Sequence, residues 1–202
     1  MPFINLFPTV VFSSILEDIS QNEIKNYIDI LKDEKLIDYN NYGSSTLDQN
    51  ILDIPIFSKL KNSILDFSKE YIKNLGFKDY DFQICNSWGN IVDKNEEIMK
   101  HKHLNSFLSG CFYLSPNNSD ISFVYPLSDK WLFYLGERSF FDKEKPQTWE
   151  TFRISPQQNQ ILLFPSWLEH FVHTSKNDNR VSIAFNLIPK GKLGKVTSII
   201  NL

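Results

Sequence analysis

The sequence predicts a mainly β protein in which two N-terminal helices brace an all-β sandwich or barrel. Three observations carry that expectation. Apolar side chains recur twice at helical spacing before residue 76. From residue 79 the chain changes to many short β-branched and aromatic runs separated by Asn, Pro and Gly clusters. Its 202 residues, 42% hydrophobic and 14% aromatic, can bury a substantial core in one domain. We read 1–202 as a single domain: an N-terminal strand and bracing helices over 1–78, a β core over 79–190 and a tail over 191–202.

Residues 8–16, rich in β-branched and aromatic side chains, read as a strand. Asp18 to Lys35 reads as a helix, with Ile24, Tyr27, Ile28 and Leu31 at helical spacing and Ser20 placed as its N-cap. Residues 37–53 are polar and read as irregular. Pro55 opens a second helix to Leu75, and Gly76 is a natural stop. Phe82–Val92 reads as a strand, followed by a turn over 93–97. Further short runs lie at 97–103, 107–114, 121–125, 131–135, 149–154, 160–165, 170–174 and 180–188. Residues 136–148 read as an excursion from the barrel, a loop able to lid a site.

Lys and Arg number 21 against 24 Asp and Glu, a net charge of −3, so overall charge draws the protein to neither nucleic acid nor an anionic membrane. The basic residues Lys100, Lys102, Lys192 and Lys195 read as solvated charges. No apolar run reaches the roughly 18–20 residues that span a bilayer. The N-terminus lacks the basic start and small-residue cleavage site of a secretory signal. A cytoplasmic location follows as the expectation. Cys85 and Cys111, in separate strands and outside any CxxC, read as two buried free thiols.

All four histidines fall in two segments, His101-Lys-His103 and His170-Phe-Val-His173. In a strand, His101 and His103 share a face while Lys102 points away. Two imidazoles on one face can grip a metal at about 2.0–2.2 Å each, and His170 is the candidate third ligand. By the same alternation His173 faces away from His170. Imidazoles suit iron, zinc, copper or nickel, so ligand type alone does not name the metal. The plainer reading of any single one is a hydrogen-bonded or surface histidine; confinement of all four to an HxH and an HxxH favours the metal. Ten residues after His170, Arg180 and Ser182 share a strand face, and a buried Arg needs an anionic partner, for which a carboxylate is suited.

These residues resemble the Fe(II)- and 2-oxoglutarate-dependent dioxygenases, most closely a small uncharacterised group with an HxH…SGxxYL block and a distal His…RxS. The resemblance covers roughly residues 80–190. It implies a double-stranded β-helix (jelly-roll, cupin-like) barrel braced by the two helices. It also implies Fe(II) as cofactor, 2-oxoglutarate as co-substrate, and hydroxylation of an unidentified substrate with release of succinate and CO2. His101 matches the first ligand and His170 the distal one. Arg180, Ser182 and Tyr113 match the anchor of the co-substrate's remote carboxylate. His103 stands where the superfamily carries a carboxylate, which gives a three-histidine set of His101, His103 and His170, with Asn105 or water as the alternative third ligand. Asn105, Ser106 and Ser109 are candidates for orienting the histidines, or for shaping a turn. Trp88, Trp167 and Phe171 are candidates for the substrate side, or for core.

Two other readings stay open. A three-His cupin-type metalloenzyme would not need Arg180-Val-Ser182, and a catalytically retired barrel acting as a binding module would hold no metal. The expected substrate is a small molecule or a protein side chain. Oligomeric state is not legible.

Overall fold

The computed structural model describes residues 8–77, 81–116, 119–126, 150–194 and 196–201. The strand read at 131–135 and the excursion at 136–148 lie outside them.

The first strand, β1 (Phe12–Ile15), is followed by helix α1 (Gln21–Asp33). Ser20 caps α1 as the sequence predicts: its hydroxyl accepts from the Glu23 N–H, and the Glu23 carboxylate accepts from the Ser20 N–H. The reciprocal pair satisfies two of the donors that a helix start leaves free. Ile24, Tyr27 and Leu31 form the buried stripe. Residues 37–53 depart from the expectation of irregular chain. They hold two short strands, β2 (Leu36–Asp38) and β3 (Ser44–Thr46), and two 3-10 turns. Three-residue strands leave no periodic signal; their pairing is supplied by a neighbour already in the sheet. A further 3-10 turn, Pro55–Phe57, leads into α2 (Ser58–Asn74), with Leu60, Ile64, Tyr71 and Ile72 buried and Gly76 at φ +85° just past its end. The Tyr71 hydroxyl donates to the Val10 carbonyl at 2.6 Å, tying the helix to the approach of β1.

The β core comprises β4 (Asp81–Val92), β5 (Ile98–His101), β6 (Leu108–Tyr113), β7 (Ile121–Val124), β8 (Thr151–Ile154), β9 (Gln160–Pro165), β10 (His170–Val172) and β11 (Arg180–Lys190). A small hairpin of β12 (Lys192–Leu193) and β13 (Ile200–Asn201) follows. The larger sheet has the order β1-β9-β6-β11-β4-β3-β2, the smaller β5-β10-β7-β8, and every pairing is antiparallel. Together they form the expected double-stranded β-helix.

Alternation along the strands gives the larger sheet two working faces. Val181, Ile183, Phe185 and Leu187 of β11, with Leu108 and Phe112 of β6, pack with Leu31 of α1, Phe57 of the 3-10 turn and Ile64 of α2 in one core. Tyr113, Leu162 and Phe164 look the other way, onto Ile121, Phe123 and Val172 of the smaller sheet, in a second core. Gly110 permits the close packing of β6: a Cβ there would lie 2.4 Å from Phe185 Cζ and 2.6 Å from the Leu162 carbonyl oxygen.

Cys85 corrects the expectation of two buried thiols, being exposed while Cys111 is half-buried. The register of β4 against β11 explains this. Asn186 faces Asn86 and Leu187 faces Ile84, so Cys85 is the extra residue of a bulge. Beyond the bulge the alternation shifts by one, which turns Phe82 and Ile84 toward the helices. Among the described residues no helix is long and apolar enough to cross a membrane.

Candidate metal centre and co-substrate cavity

The rows of side chains facing the smaller sheet can be read directly from strand register. One row across the larger sheet is Asn90, Ser182 and Tyr113; the next is Trp88, Ala184, Cys111 and Leu162; the third is Asn186, Ser109 and Phe164. Ala184, the smallest of the middle row, leaves room at its centre. A cavity of about 120 Å³ opens there, lined by residues from both sheets that include Trp88, Asn90, Cys111, Ala184, Arg180 and the three histidines.

At one end of this cavity the side chains of His101, His103 and His170 converge, each offering a nitrogen within 4.8 Å of the others. Adjacent imidazoles sharing an ion at ~2.1 Å stand about 3.0–3.4 Å apart, a separation that modest side-chain rotations can reach from this arrangement. His101 ends β5 and faces His170 directly in register, with a bulge between Ile98 and His101 that keeps both pointing inward. The rings of His103 and His170 stack at 5.1 Å and 6°.

Hydrogen bonds fix which nitrogen is free. His101 Nδ1–H donates to the Met99 carbonyl at 2.7 Å, and His170 Nδ1–H to the Leu168 carbonyl at 2.8 Å. Each therefore turns its Nε2 lone pair toward the centre. His103 Nε2 lies 3.3 Å from His170 Nε2. With His170 an acceptor, that contact requires His103 to carry its proton on Nε2, where a metal ion would replace it. Burial, then the nearby His101, pushes His103 down to about 4. The same two causes, in the same order, push His170 down to about 3. At neutral pH both are neutral, the form in which imidazole binds a metal.

At the other end lies a buried cation with no carboxylate partner among the described residues. Arg180 is 3% exposed and its guanidinium stands 5.5 Å over the Tyr113 ring, yet one of its terminal nitrogens has no hydrogen-bond partner, and neither do the Ser182 and Tyr113 hydroxyls. Among the described residues no carboxylate pairs with Arg180. An uncompensated buried charge beside two unsatisfied hydroxyls costs several kcal/mol. A ligand carboxylate would supply all three with an acceptor. Burial raises the Tyr113 phenol well above its ordinary value, so it stays a donor, and burial likewise pushes the Cys111 thiol up.

The remaining candidates divide. Trp88 lines the cavity with its ring 5.8 Å from that of His103, and its Nε1–H donates to Asn90 Oδ1 at 3.1 Å. Trp167 and Phe171 instead line a larger cleft of about 880 Å³ with Lys100, Lys102 and Glu169. That cleft is on the outer face of the smaller sheet, because these residues alternate with the inward-facing histidines. His173 also points outward, its Nε2 at 2.8 Å from the Ser122 hydroxyl. Asn105 occupies an exposed turn at φ +57°. The Ser106 and Ser109 hydroxyls bond to Ser166 rather than to an imidazole. Asn90, Ala184, Ser166 and Asn186 were not singled out from the sequence. For Ala184 and Asn186 a signal was present, since Arg180, Ser182, Ala184 and Asn186 fall at every second position of one strand.

Residues 86–186, half of the chain, match the family described as "Putative 2OG-Fe(II) oxygenase". The chain belongs to this 2OG-Fe(II) oxygenase family. It is thus an enzyme of the iron- and 2-oxoglutarate-dependent class, and its donor set and carboxylate-ready cavity fit both groups. Solved structures share the fold at low identity. HygX from Streptomyces hygroscopicus, crystallised with nickel and 2-oxoglutarate, is 13% identical at a TM-score of 0.58, covering 90% of this oxygenase and 83% of that chain. A 2OG-Fe(II) oxygenase family oxidoreductase from Burkholderia pseudomallei is 11% identical at 0.57, with coverage of 87% and 84%. A Pseudomonas putida prolyl-4-hydroxylase is 8% identical at 0.57, with coverage of 88% and 92%. No curated protein matches the sequence.

Proposed function

We propose that this oxygenase hydroxylates a small molecule or a protein side chain, with His101, His103 and His170 holding iron(II). In this reading Arg180, Ser182 and Tyr113 hold the remote carboxylate of 2-oxoglutarate. The observation that carries it is the unpartnered Arg180–Ser182–Tyr113 set facing the same small cavity as three convergent imidazoles. A cupin-type site without 2-oxoglutarate gives that buried guanidinium no task.

The bound iron supplies activation of O2 coupled to oxidative decarboxylation of 2-oxoglutarate to succinate and CO2. The chain's own residues do the rest. Met99 and Leu168 hold two imidazoles in the tautomer that frees Nε2. Arg180 neutralises a carboxylate away from water, while Ser182 and Tyr113 complete its hydrogen bonds. Trp88 and Phe164 give the cavity apolar walls, and Leu162 packs in the core around it. Substrate enters where His101 and His103 are partly exposed, past Leu104, which is 83% exposed. A structure of HygX has nickel, 2-oxoglutarate and hygromycin B bound, which supports the small-molecule arm.

The test is an anaerobic titration of 2-oxoglutarate into the iron(II)-loaded protein, watching for the weak visible charge-transfer band of the chelate. A band in wild type that fades in Arg180→Ala is the expected result. Iron binding without a band would move the site to other three-His chemistry, and no iron binding at all would indicate a retired barrel. His170→Ala should abolish metal binding, and stoichiometric iron in that variant would remove His170 from the ligand set. His103→Asp should keep or raise iron affinity by restoring a negative ligand; a collapse would show that the neutral set is required.

A further inference from the structure

Ser166 lies in the turn between β9 and β10, four residues before His170, and every polar group it has is engaged by the segment that carries His103. Its N–H donates to the Phe107 carbonyl at 3.1 Å and its carbonyl accepts from the His103 N–H at 3.1 Å. Its hydroxyl is 2.9 Å from both the Ser106 and the Ser109 hydroxyls. The direction of this chain is determined. Ser109 donates to Asn186 Oδ1 at 2.7 Å, which uses its one proton. Ser166 must therefore donate to Ser109, and Ser106 to Ser166. Ser166, Ser109 and Asn186 are 1%, 0% and 4% exposed, so water cannot stand in for a missing link. The chain ends on β11 beside the Cys85 bulge, in the same sheet face as Arg180, Ser182 and Ala184.

We propose that Ser166 is a positioning residue, a three-point clamp that sets the distance between the His103 and His170 imidazoles. The inference rests on the metal-site reading above. His101 is placed by strand pairing with His170, but His103 lies past the end of β5 in a loop that turns through Asn105 at positive φ. No strand register fixes it. The backbone bond from His103 to Ser166 does so, and the hydroxyl chain holds Ser166 in place. The short polar turn after His103 thus acts on the imidazole through the backbone rather than by touching the ring.

The test uses cobalt(II) as probe, titrated into the full-length wild type, Ser166→Ala, His103→Ala and the double variant. Ser166→Ala should lose about 10–100-fold in cobalt affinity, the range for groups that orient ligands. Its visible cobalt spectrum should shift toward that of His103→Ala. In the His103→Ala background the same change should cost nothing more, since the clamp has lost its object. A purely structural hydroxyl would lower the melting temperature and weaken binding equally in both backgrounds, and that result would overturn the proposal. Unchanged affinity in Ser166→Ala would do the same while leaving the metal site standing. A wild type that binds no cobalt would overturn the site itself. Should Ser166→Ala fail to fold, Ser109→Ala breaks the next link with Ser166's backbone bonds intact, and its cycle with His103→Ala must show the same coupling.

Discussion

Arg180 shows how one residue's environment points to a ligand class. A guanidinium 3% exposed, with an unpartnered nitrogen and two idle hydroxyls beside it, gains from an incoming anion. Arg180→Ala should weaken 2-oxoglutarate binding to the metal-loaded protein about 100-fold, since a charge-assisted hydrogen bond contributes ~1.5–3 kcal/mol; calorimetric titration measures it. The histidines give a second prediction. The folded values of His103 and His170, about 4 and about 3, lie below the ordinary value near 6.5. As pH falls through 6.5 the unfolded chain takes up protons that the folded chain refuses, so stability drops progressively down to those values. The chelator-treated protein should therefore melt at a lower temperature at pH 5 than at pH 7. His170→Gln should remove part of that difference, and an identical pH slope in the variant would count against the assignment.

Elements carry the site by register. The interior residues Arg180, Ser182 and Ala184 of β11 and their partners on β4 and β6 make the cavity floor. Interior positions could be read from period-two alternation, which is local and survives in a bare sequence. The bulges could not, because one extra residue in β4 or β5 leaves no mark in composition, yet each reverses the facing of everything beyond it. This is why Cys85 was expected inside and lies outside. Gly110 is the most tightly constrained point of β6. Gly110→Ala should cost about 1–3 kcal/mol by overpacking against Phe185 and the Leu162 carbonyl, read from urea unfolding. A variant as stable as wild type would mean that the β6–β9 backbone can shift at little cost.

For the whole molecule, the larger sheet separates two cores with different tasks. The core against α1 and α2 holds the sheet together, and the inter-sheet core surrounds the cavity. Substitutions on the two faces should separate accordingly. Phe57→Ala, removing a fully buried ring packed 4.6 Å from Tyr27, should cost about 3–5 kcal/mol of stability while leaving 2-oxoglutarate affinity in the folded protein near wild type. Ala184→Leu, filling the centre of the cavity, should abolish 2-oxoglutarate binding with a far smaller loss of stability. Equal effects of the two variants on both quantities, measured by unfolding and calorimetry, would show that the cores are not separable.

Sequence alone determined the chemistry on offer. Two histidines at period two, a third followed ten residues later by Arg-x-Ser, two amphipathic helices and a run of short strands are all local patterns, set by side-chain type and backbone repeat. The resemblance they support is matched by the family to which the chain belongs. Tertiary structure alone decided the distances. Residues 67 positions apart, His103 and His170, stand 3.3 Å apart at Nε2 because β5 and β10 pair and because Ser166 bridges their loops. Long-range pairing fixes such contacts through the summed packing of the two sheets, and no window of neighbouring residues contains that information. The same holds for β2 and β3, too short to announce themselves, which become strands because β4 offers β3 an edge and β3 in turn pairs with β2.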